Sequence, residues 1–306
     1  MRIADRLAAA EPCFSFEFFP PKTDLGRAHL FEALDDLEEL APGFISITCG
    51  ASGSARAPSL DLVAELKARR RFEVMAHLTC HGQSRAALLS ELERLRGCGI
   101  ENVFALRGDP PPEGAPEAGD GDGEASGAGS GGGDCGDGPR TAADFARLIG
   151  REGFGFCLGG AAYPEIHPRA ASREADLAAL EAKVAAGARF LITQLFFDNA
   201  FYFDFVARAR AAGVEVPIVP GIMPITSFEQ IERFTRQCAA TLPMRLRLEM
   251  EKHQRDPEAV RQLGIAHATL QCMDLMNRGV RHLHFFTLNK SKATRLIVTA
   301  LKTFRP

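Results

Sequence analysis

The sequence lacks several features that would assign it to a particular class of protein. Its 306 residues include no tryptophan and two tyrosines, which bears only on the choice of an optical probe. No apolar run reaches the roughly 18 residues that a membrane-spanning helix needs. The first residues carry Asp5 and Glu11 where a secretion signal would have an apolar core. We therefore expect a soluble, cytoplasmic protein that does not bind membranes.

Cysteine pairs and a strong charge of one sign are also missing. Eight cysteines are scattered along the chain without a C-x-x-C pair, so neither a disulfide framework nor a cysteine zinc site is indicated. The formal net charge of −3 gives no general reason to expect a nucleic-acid-binding protein. With 46% hydrophobic and 25% charged residues, the chain can bury a large core, which argues against general disorder.

The composition changes abruptly between Glu113 and Pro139. These 27 residues contain 11 Gly, 7 Asp or Glu, no Lys or Arg, and no large apolar side chain. Such a segment cannot offset the conformational entropy lost on ordering, so we predict a flexible loop at 113–139. Residues 131–136 match the nucleotide-binding pattern G-x-G-x-x-G, but with no strand before them and no apolar helix directly after them we assign them to the loop. The rest of the chain has 36 basic and 32 acidic residues and is mildly basic.

Short runs rich in Phe, Val and Ile alternate with segments of helical periodicity. The predicted strands are 13–19, 44–50, 72–80, 102–108, 154–163, 189–197, 216–224 and 282–289. The predicted helices are 26–40, 59–70, 84–97, 141–151, 173–186, 199–212, 227–240, 257–278 and 290–302. Expected N-caps are Ser84, Ser172, Asn199 and Ser227, and expected helix stops are Gly99, Gly187 and Gly213.

Eight strands that alternate with helices predict an α/β protein with a (β/α)8 TIM barrel. A doubly wound open sheet is the alternative, although it would usually need fewer strands. The whole chain, 1–306, is then one barrel domain with the long Gly/Asp-rich loop after the fourth strand.

Polar side chains stand at the predicted C-terminal end of nearly every strand, where a barrel of this kind carries its chemistry. Inward-facing polar groups need partners, either one another or a ligand. In chain order these positions are Glu17, Thr48, His77, Arg107 with Asp109, Tyr163 with His167, Gln194, the 223–228 loop, and Asn289 with Lys290.

Glu17 has distinctive neighbours in the sequence FSFEFFPP. A carboxylate beside aromatic surface is costly to ionise, so we expect a raised pKa and a group suited to donating a proton near neutral pH. The alternative is a structural glutamate that pairs with a barrel arginine or lysine.

Two later segments could hold a ligand with a flat ring and phosphates. In RGDP, Gly108 lets the backbone approach a ligand closely, although the tetrapeptide could equally be an ordinary turn. In GGAAYPEIHP, small side chains leave room for a ring that Tyr163 and His167 could contact. Asp176 and Lys183 share a helix face and could reach cofactor hydroxyls and phosphates, or could simply belong to a solvated helix surface.

The histidines near strand ends are candidate metal ligands. His282 and His284 lie two residues apart on a strand and so share a face, and His77 is followed by His81. No carboxylate lies close in sequence to either histidine pair. We therefore expect hydrogen-bonded strand histidines and no metal.

Seven segments in chain order resemble the methylenetetrahydrofolate reductase family, and together they cover nearly the whole chain outside the 113–139 loop. They read FSFEFFPPKT, MAHLTC, ALRGDPP, AAYPEIHP, ITQLFFD, PIVPGIMPITSF and HFFTLN. The resemblance implies a (β/α)8 barrel that binds FAD without the G-x-G-x-x-G fingerprint. It also implies a two-step reaction, in which NAD(P)H reduces FAD and leaves before methylenetetrahydrofolate takes the hydride and becomes 5-methyltetrahydrofolate, a methyl source for methionine synthesis.

The resemblance also implies roles for individual residues. Glu17 resembles the general acid that helps open the imidazolidine ring of the substrate, and Asp109 the carboxylate that hydrogen-bonds the pterin near the flavin. Gln194 resembles the substrate-orienting amide, and Phe228 the ring that stacks on substrate or nicotinamide. The positions that match flavin contacts are Thr48, His77, Arg107, Gly108, Asp109, Tyr163, His167, Asp176 and Lys183.

Five positions depart from the family pattern. Cys49 stands where many members have an aromatic residue, and Thr141 where bacterial members have a tyrosine near the flavin. Ala179 and Ala182 replace polar or basic residues of some members. Lys290 replaces an arginine of the folate or nicotinamide site, and because lysine offers no bidentate fork we expect weaker carboxylate binding. These departures bear on FAD affinity and the choice of reductant more than on the reaction.

Two other functions remain as alternatives. A metal-dependent barrel hydrolase would depend on His77, His282 and His284. A partner-dependent folate reductase subunit would take electrons from another protein instead of NADH or NADPH. The resemblance favours a homo-oligomeric enzyme with a small-molecule folate substrate, no nucleic-acid partner and no regulatory domain after Pro306.

Overall fold

The computed structural model describes residues 1–49, 56–108 and 137–304, and every strand in this part of the chain belongs to one parallel sheet. Its strands are β1 (Cys13–Phe18), β2 (Phe44–Ile47), β3 (Val74–Thr79), β4 (Asn102–Leu106), β5 (Cys157–Ala162), β6 (Ala188–Thr193), β7 (Ile218–Val219), β8 (Gly221–Ile222) and β9 (His282–Phe286). Each of β1 to β6 pairs with the next strand along the chain, and β1 also pairs with β9.

The sheet closes through the predicted seventh strand, which Pro220 divides into β7 and β8. Proline has no backbone N–H and so interrupts a ladder of hydrogen bonds. The segment β7 pairs with β6, while β8 pairs with β9. The carbonyl of Pro220 still accepts a hydrogen bond from the backbone N–H of His284. The two short segments act as one strand, and the predicted eight-position (β/α)8 barrel is confirmed; an open sheet is excluded.

Helices surround the barrel in the order that the sequence predicts. They are α1 (Ile3–Ala8), α2 (Asp24–Glu38), α3 (Arg56–Arg69), α4 (Arg85–Gly97), α5 (Ala142–Arg151), α6 (Arg173–Ala185), α7 (Asn199–Ala211), α8 (Phe228–Cys238), α9 (Met244–Lys252), α10 (Pro257–Asn277) and α11 (Lys292–Thr303). None of the helices described is long and apolar enough to cross a membrane.

Side-chain caps fix most helix starts. Ser84, Ser172 and Ser227 accept hydrogen bonds from backbone N–H groups in the first turns of α4, α6 and α8, as predicted. The predicted cap Asn199 is wrong, because Asp198 accepts the bond from Ala200 N and Asn199 is already helical. Thr141, a departure from the family pattern, forms a capping box with Asp144 at the start of α5.

The predicted helix stops Gly99, Gly187 and Gly213 all have positive φ, between 74° and 111°. This left-handed conformation ends a helix at little cost only when the residue has no side chain. Two helices, α1 and α9, have no counterpart among the predicted helices. The six-residue α1 is too short to show a helical period, and it covers the N-terminal end of the barrel with Ile3 and Leu7 buried.

Successive side chains of each strand point to opposite faces of the sheet, and this separates two apolar layers. On β1, Phe14, Phe16 and Phe18 face outward into the large core between sheet and helices. Cys13 faces inward with Phe44, Met75 and the other side chains that fill the lower barrel. Glu17 therefore faces the barrel interior, away from the phenylalanines that are next to it in the sequence.

Several predictions fall on residues 50–55, 109–136 and 305–306, which lie outside the described residues. They include the assigned role of Asp109, the 131–136 glycine pattern and most of the predicted 113–139 loop.

Candidate active site

Glu17 lies on the inner face of β1, with three polar side chains from neighbouring strands around it. Its Oε2 atom is 3.3 Å from Nε2 of His284, 3.5 Å from Oγ of Ser46 and 3.6 Å from Nε2 of His77. The Glu17 side chain is 19% exposed, whereas those of His284 and His77 are 0% and 6% exposed. The carboxylate can thus be reached from outside while its partners are held in the barrel.

The strand register brings these groups together. Glu17 is the register partner of Ser46 on β2, and Ser15, two residues earlier, is the partner of His284 on β9. Because residues two apart share a strand face, Ser15 and Glu17 both point inward. The Oγ atom of Ser15 lies 2.8 Å from Nδ1 of His284. One imidazole therefore joins Ser15 to Glu17.

The pKa of Glu17 lies below its ordinary value, contrary to the sequence-based expectation. Burial acts to raise it, but the hydrogen bond with His284, the proximity of His77 and the hydroxyl of Ser46 together outweigh that effect. The expected rise in the pKa was wrong because Phe16 and Phe18 do not surround the Glu17 carboxylate. As its neighbours on the strand, they point to the opposite face of the sheet. Without a bound ligand, Glu17 is an ionised carboxylate at neutral pH.

His77 is a neutral ring beside that carboxylate. Burial lowers its pKa to about 4; Glu17 opposes this shift and His284 adds to it. The ring lies 4.7 Å from that of Phe104. Its buried Nε2 atom has no hydrogen-bond partner among the described residues. A buried polar atom without a partner at the edge of a site is available to a ligand.

A second group of predicted residues lines a cavity of about 150 Å³ at the ends of β4 and β5. Its polar lining comprises Arg107, Gly108, Tyr163, His167, Arg169 and Lys183. Gly108 has φ 86°, and a Cβ atom there would lie 2.8 Å from Cβ of Thr79. This position requires glycine for both conformation and space.

Asp176 and Lys183 of α6 contact the connection after β5 and the strand itself. A side-chain oxygen of Asp176 accepts a hydrogen bond of 3.0 Å from the backbone N–H of His167. Nζ of Lys183 donates to the carbonyl oxygen of Ala161 at 2.5 Å. Burial lowers the pKa of Lys183 to about 8, and the nearby Asp176 only partly offsets this. Both side chains are therefore held toward the barrel.

A larger cavity of about 1080 Å³ opens beyond the ends of β1 and β9. Phe19, Phe286 and Lys290 are among its lining residues. The side chain of Asn289 accepts a hydrogen bond from the backbone N–H of Phe19 and donates another to its carbonyl oxygen, at 3.0 and 2.8 Å. Leu288 and Asn289 both have positive φ, so the loop is held in an unusual conformation beside the end of β1.

Three predicted residues have no described contact with Glu17. Thr48 follows β2, and its backbone N–H bonds to the carbonyl of Phe18. The side chain of Gln194 accepts a hydrogen bond from the backbone of Leu195 at 2.8 Å. Phe228 begins α8 and packs against an apolar cluster. Thr48 and Gln194 directly follow their strands, as predicted, whereas Phe228 is the first residue of α8, and the described contacts do not join the three into one group.

Sequence reasoning missed the partners of Glu17. The expectation that His282 and His284 are hydrogen-bonded strand histidines is confirmed, but the sequence did not identify Glu17 as a partner of His284, nor Ser15 and Ser46 as members of the site. The spacing of Ser15 and Glu17 on one strand was a usable signal, whereas the pairing with Ser46 and His284 depends on register. Across the described ranges, no group of three or more His, Cys, Asp or Glu side chains is arranged to hold a metal ion.

Comparison with known proteins gives a consistent family assignment. The model of the family described as methylenetetrahydrofolate reductase matches residues 2–302. The chain is 35% identical to the 5,10-methylenetetrahydrofolate reductase of Pectobacterium carotovorum, over 94% of this chain and 89% of that protein. It is 36% identical to methylenetetrahydrofolate reductase (NADH) 1 of Arabidopsis thaliana, over 96% of this chain and 49% of that protein. The chain thus spans about half the length of the plant relative.

Solved structures match at the level of the fold. A Clostridium thermocellum protein that binds two copies of 5-methyl-5,6,7,8-tetrahydrofolic acid superposes with a TM-score of 0.64 and 13% identity, covering 98% of both chains. Dihydropteroate synthase from Stenotrophomonas maltophilia gives a TM-score of 0.51 at 13% identity, covering 97% of this chain and 95% of that one. At such low identity these similarities concern the fold alone.

Proposed function

The chain belongs to the methylenetetrahydrofolate reductase family, and on this basis we propose that it reduces 5,10-methylenetetrahydrofolate to 5-methyltetrahydrofolate with NADH or NADPH, through bound FAD in two steps. The observation that carries the proposal is the partly exposed Glu17 carboxylate, held by His284 and Ser46 at the end of a barrel strand. Active sites of (β/α)8 enzymes lie at this end of the barrel.

Three features of the described residues fit a flavin dinucleotide. Nε2 of His77 is buried without a partner, which leaves it able to bond a ligand atom. Gly108 keeps the backbone open to close approach. Lys183 places a cation in the cavity beside Arg107. When bound, FAD would take a hydride from the nicotinamide and give it to the one-carbon unit of the folate.

Glu17 would handle the proton that opening of the substrate ring requires. The carboxylate is ionised in the ligand-free protein, so it must gain a proton before it can act as a general acid. His284 contacts the carboxylate through Nε2 and Ser15 through Nδ1, so the same ring can hold a hydrogen bond to Glu17 whether the carboxyl group is ionised or protonated. The proton itself would reach the partly exposed carboxylate from solvent or from a ligand.

The remaining predicted residues take binding roles in this proposal. Asp109 would bond the pterin and stabilise the cation that develops there. Gln194 would orient the substrate and Phe228 would stack on it or on the nicotinamide. Lys290, which lines the larger cavity, would attract a carboxylate of the folate. Thr48 would join the flavin contacts.

Anaerobic half-reactions test the proposal. Purified protein should carry or take up FAD, whose absorbance should bleach with NADH or NADPH and return when methylenetetrahydrofolate is added, with 5-methyltetrahydrofolate as the product. Failure to take up FAD would remove the proposal. Bound FAD that neither nucleotide reduces would favour a partner-dependent subunit instead.

We extend the proposal to a homo-oligomeric, cytoplasmic enzyme whose product supplies methyl groups for methionine synthesis. Light scattering of the purified protein gives the subunit number directly, and a monomer at micromolar concentration would contradict that part.

A further inference from the structure

The 150 Å³ cavity at the ends of β4 and β5 has a strongly one-sided charge. Its lining includes three permanently or predominantly cationic side chains, Arg107, Arg169 and Lys183, together with the imidazole of His167. Among the residues that the structure describes, this lining includes no aspartate or glutamate. In the described part of the chain the acidic group that acts on these cations is Asp176 of α6, whose charge only partly offsets the effect of burial on the pKa of Lys183. Cations that meet in one cavity are suited to an anion.

The turn that carries Arg169 is fixed by hydrogen bonds on both sides. The backbone N–H of Arg169 donates to Nδ1 of His167 at 3.0 Å, and that of His167 donates to Asp176 of α6 at 3.0 Å. Because Nδ1 of His167 accepts a bond, the ring proton of the neutral imidazole resides on Nε2. The turn therefore presents Arg169 beside a histidine of fixed tautomer.

The acidic residue in the same connection is held elsewhere. Both side-chain oxygens of Glu165 bond to Thr241, one to its backbone N–H at 2.8 Å and the other to its hydroxyl. Glu165 is absent from the cavity lining. The charge of Arg169 is thus left for a ligand.

The size of the cavity limits what part of a ligand it can take. Pockets for whole small molecules measure roughly 300–1,000 Å³, so about 150 Å³ suits only a fragment. Several oxygens are needed to satisfy two guanidinium groups and an ammonium. Phosphate groups provide these, and arginine matches their geometry with paired N–H donors.

We propose that Arg169 binds the diphosphate of the dinucleotide cofactor, together with Arg107 and Lys183. This inference rests on the proposed flavin-dependent function. It adds Arg169, an exposed residue on an irregular turn, to the residues that the sequence assigns to the cofactor. It also separates the site into a diphosphate part beside Arg169 and a flavin-ring part toward His77.

Binding to the FAD-free protein tests the assignment. The dissociation constants of FAD, ADP and riboflavin are measured for wild type, Arg169→Ala, Arg169→Lys and the control Arg173→Ala. Arg173 is exposed at the start of α6 and does not line the cavity. We expect Arg169→Ala to raise the dissociation constants of FAD and ADP about 10-fold, in the range of a lost charge-assisted hydrogen bond. Riboflavin, which has no phosphate, should bind unchanged.

Two further results are expected. Arg169→Lys should restore part of the lost affinity, because it keeps the charge without the paired donors. The difference between wild type and Arg169→Ala should shrink as salt rises, because the Debye length falls to roughly 3 Å at 1 M. Arg173→Ala should bind all three ligands as wild type does.

Other outcomes would overturn the assignment. If Arg169→Ala bound FAD and ADP as tightly as wild type, Arg169 would not be a diphosphate ligand, although the proposed function would stand. If the affinity for riboflavin fell by the same factor, Arg169 would act through the conformation of the turn and not through the diphosphate. If wild type bound no FAD at all, the proposed function itself would fail, and the diphosphate assignment with it.

Discussion

Nε2 of His284 lies 3.3 Å from Oε2 of Glu17, and Nδ1 of the same ring lies 2.8 Å from Oγ of Ser15. The Ser15 hydroxyl also lies 3.4 Å from the carbonyl oxygen of Leu283. With Glu17 ionised, Ser15 donates to Nδ1 and Nε2–H donates to the carboxylate. With Glu17 protonated, the carboxyl donates to Nε2, Nδ1–H donates to Ser15, and Ser15 donates to Leu283. The same atoms thus satisfy both protonation states of Glu17.

Ser15→Ala should therefore slow the proton-dependent half of the reaction. The variant loses the hydroxyl that exchanges roles with Nδ1 of His284, while Glu17 and the flavin contacts remain. We expect reoxidation of reduced flavin by methylenetetrahydrofolate to slow on the order of 10-fold, less than the 10²–10⁴-fold of losing the acid itself. Flavin reduction by the nucleotide should not change, as stopped-flow absorbance would show.

Ser46→Ala is the matched control for this variant. Ser46 contacts the same Glu17 oxygen at 3.5 Å but has no described contact with His284. Its rate of reoxidation should stay near that of wild type. Equal slowing in both serine variants would mean that Ser15 has no special part in stabilising the protonated form of Glu17.

The lowered pKa of His77 predicts a pH-dependent stability. Burial lowers the pKa from 6.5 to about 4, against the opposing effect of Glu17 and with a further lowering by His284. Between these values the unfolded chain binds a proton at His77 and the folded chain does not, so folding stability falls as pH drops from 6.5 to 4. At 1.36 kcal/mol per pKa unit, the effect amounts to about 3 kcal/mol.

His77→Gln should remove this dependence. Urea unfolding of both proteins at pH 7 and pH 4.5 gives the free energies, and the variant should lose less stability than wild type over that interval. The lowered pKa of Glu17 likewise gives stability that is lost in acid, and because His77 is one cause of that lowering, the variant should also lose part of the Glu17 effect, in the same direction. Parallel losses in the two proteins would show that His77 titrates normally when folded.

Substitution by alanine should change the free energy of unfolding in opposite directions at two helical glycines. A Cβ atom on Gly264 of α10 would collide with the backbone carbonyl of Ile225, whereas one on Gly150 of α5 would meet nothing within 4 Å. We expect Gly264→Ala to destabilise the fold by about 1–3 kcal/mol through overpacking. Gly150→Ala should stabilise it by up to about 1 kcal/mol through helix propensity. Denaturant unfolding measures both, and the same sign for both would contradict this assignment of close packing.

The fold was predictable from the sequence because each barrel unit carries its own local pattern. The phenylalanine-rich run of β1 and the cap Ser84 of α4 are examples that need no distant information. The site was less predictable. The partners of Glu17 come from strands 29 and 267 residues away in the sequence, and only register determines which face each other. The same limitation explains the wrong sign of the expected pKa shift, because neighbours in sequence on a strand are not neighbours in space.

The oxidative half-reaction of Glu17→Gln tests the central claim most directly. Glutamine keeps the size of the side chain and can still bond His284, but it cannot donate a carboxyl proton. Glu93→Gln is the control, since Glu93 is exposed on α4, lines neither cavity and has no described contact with Glu17.

Protein of each variant is loaded with FAD, reduced anaerobically with NADH or NADPH, and mixed with methylenetetrahydrofolate. We predict that Glu17→Gln binds FAD and is reduced at nearly the wild-type rate, yet is reoxidised on the order of 100-fold more slowly or worse, in the range for a lost general acid. Glu93→Gln should match wild type in both steps. Reoxidation of Glu17→Gln at the wild-type rate would contradict the account.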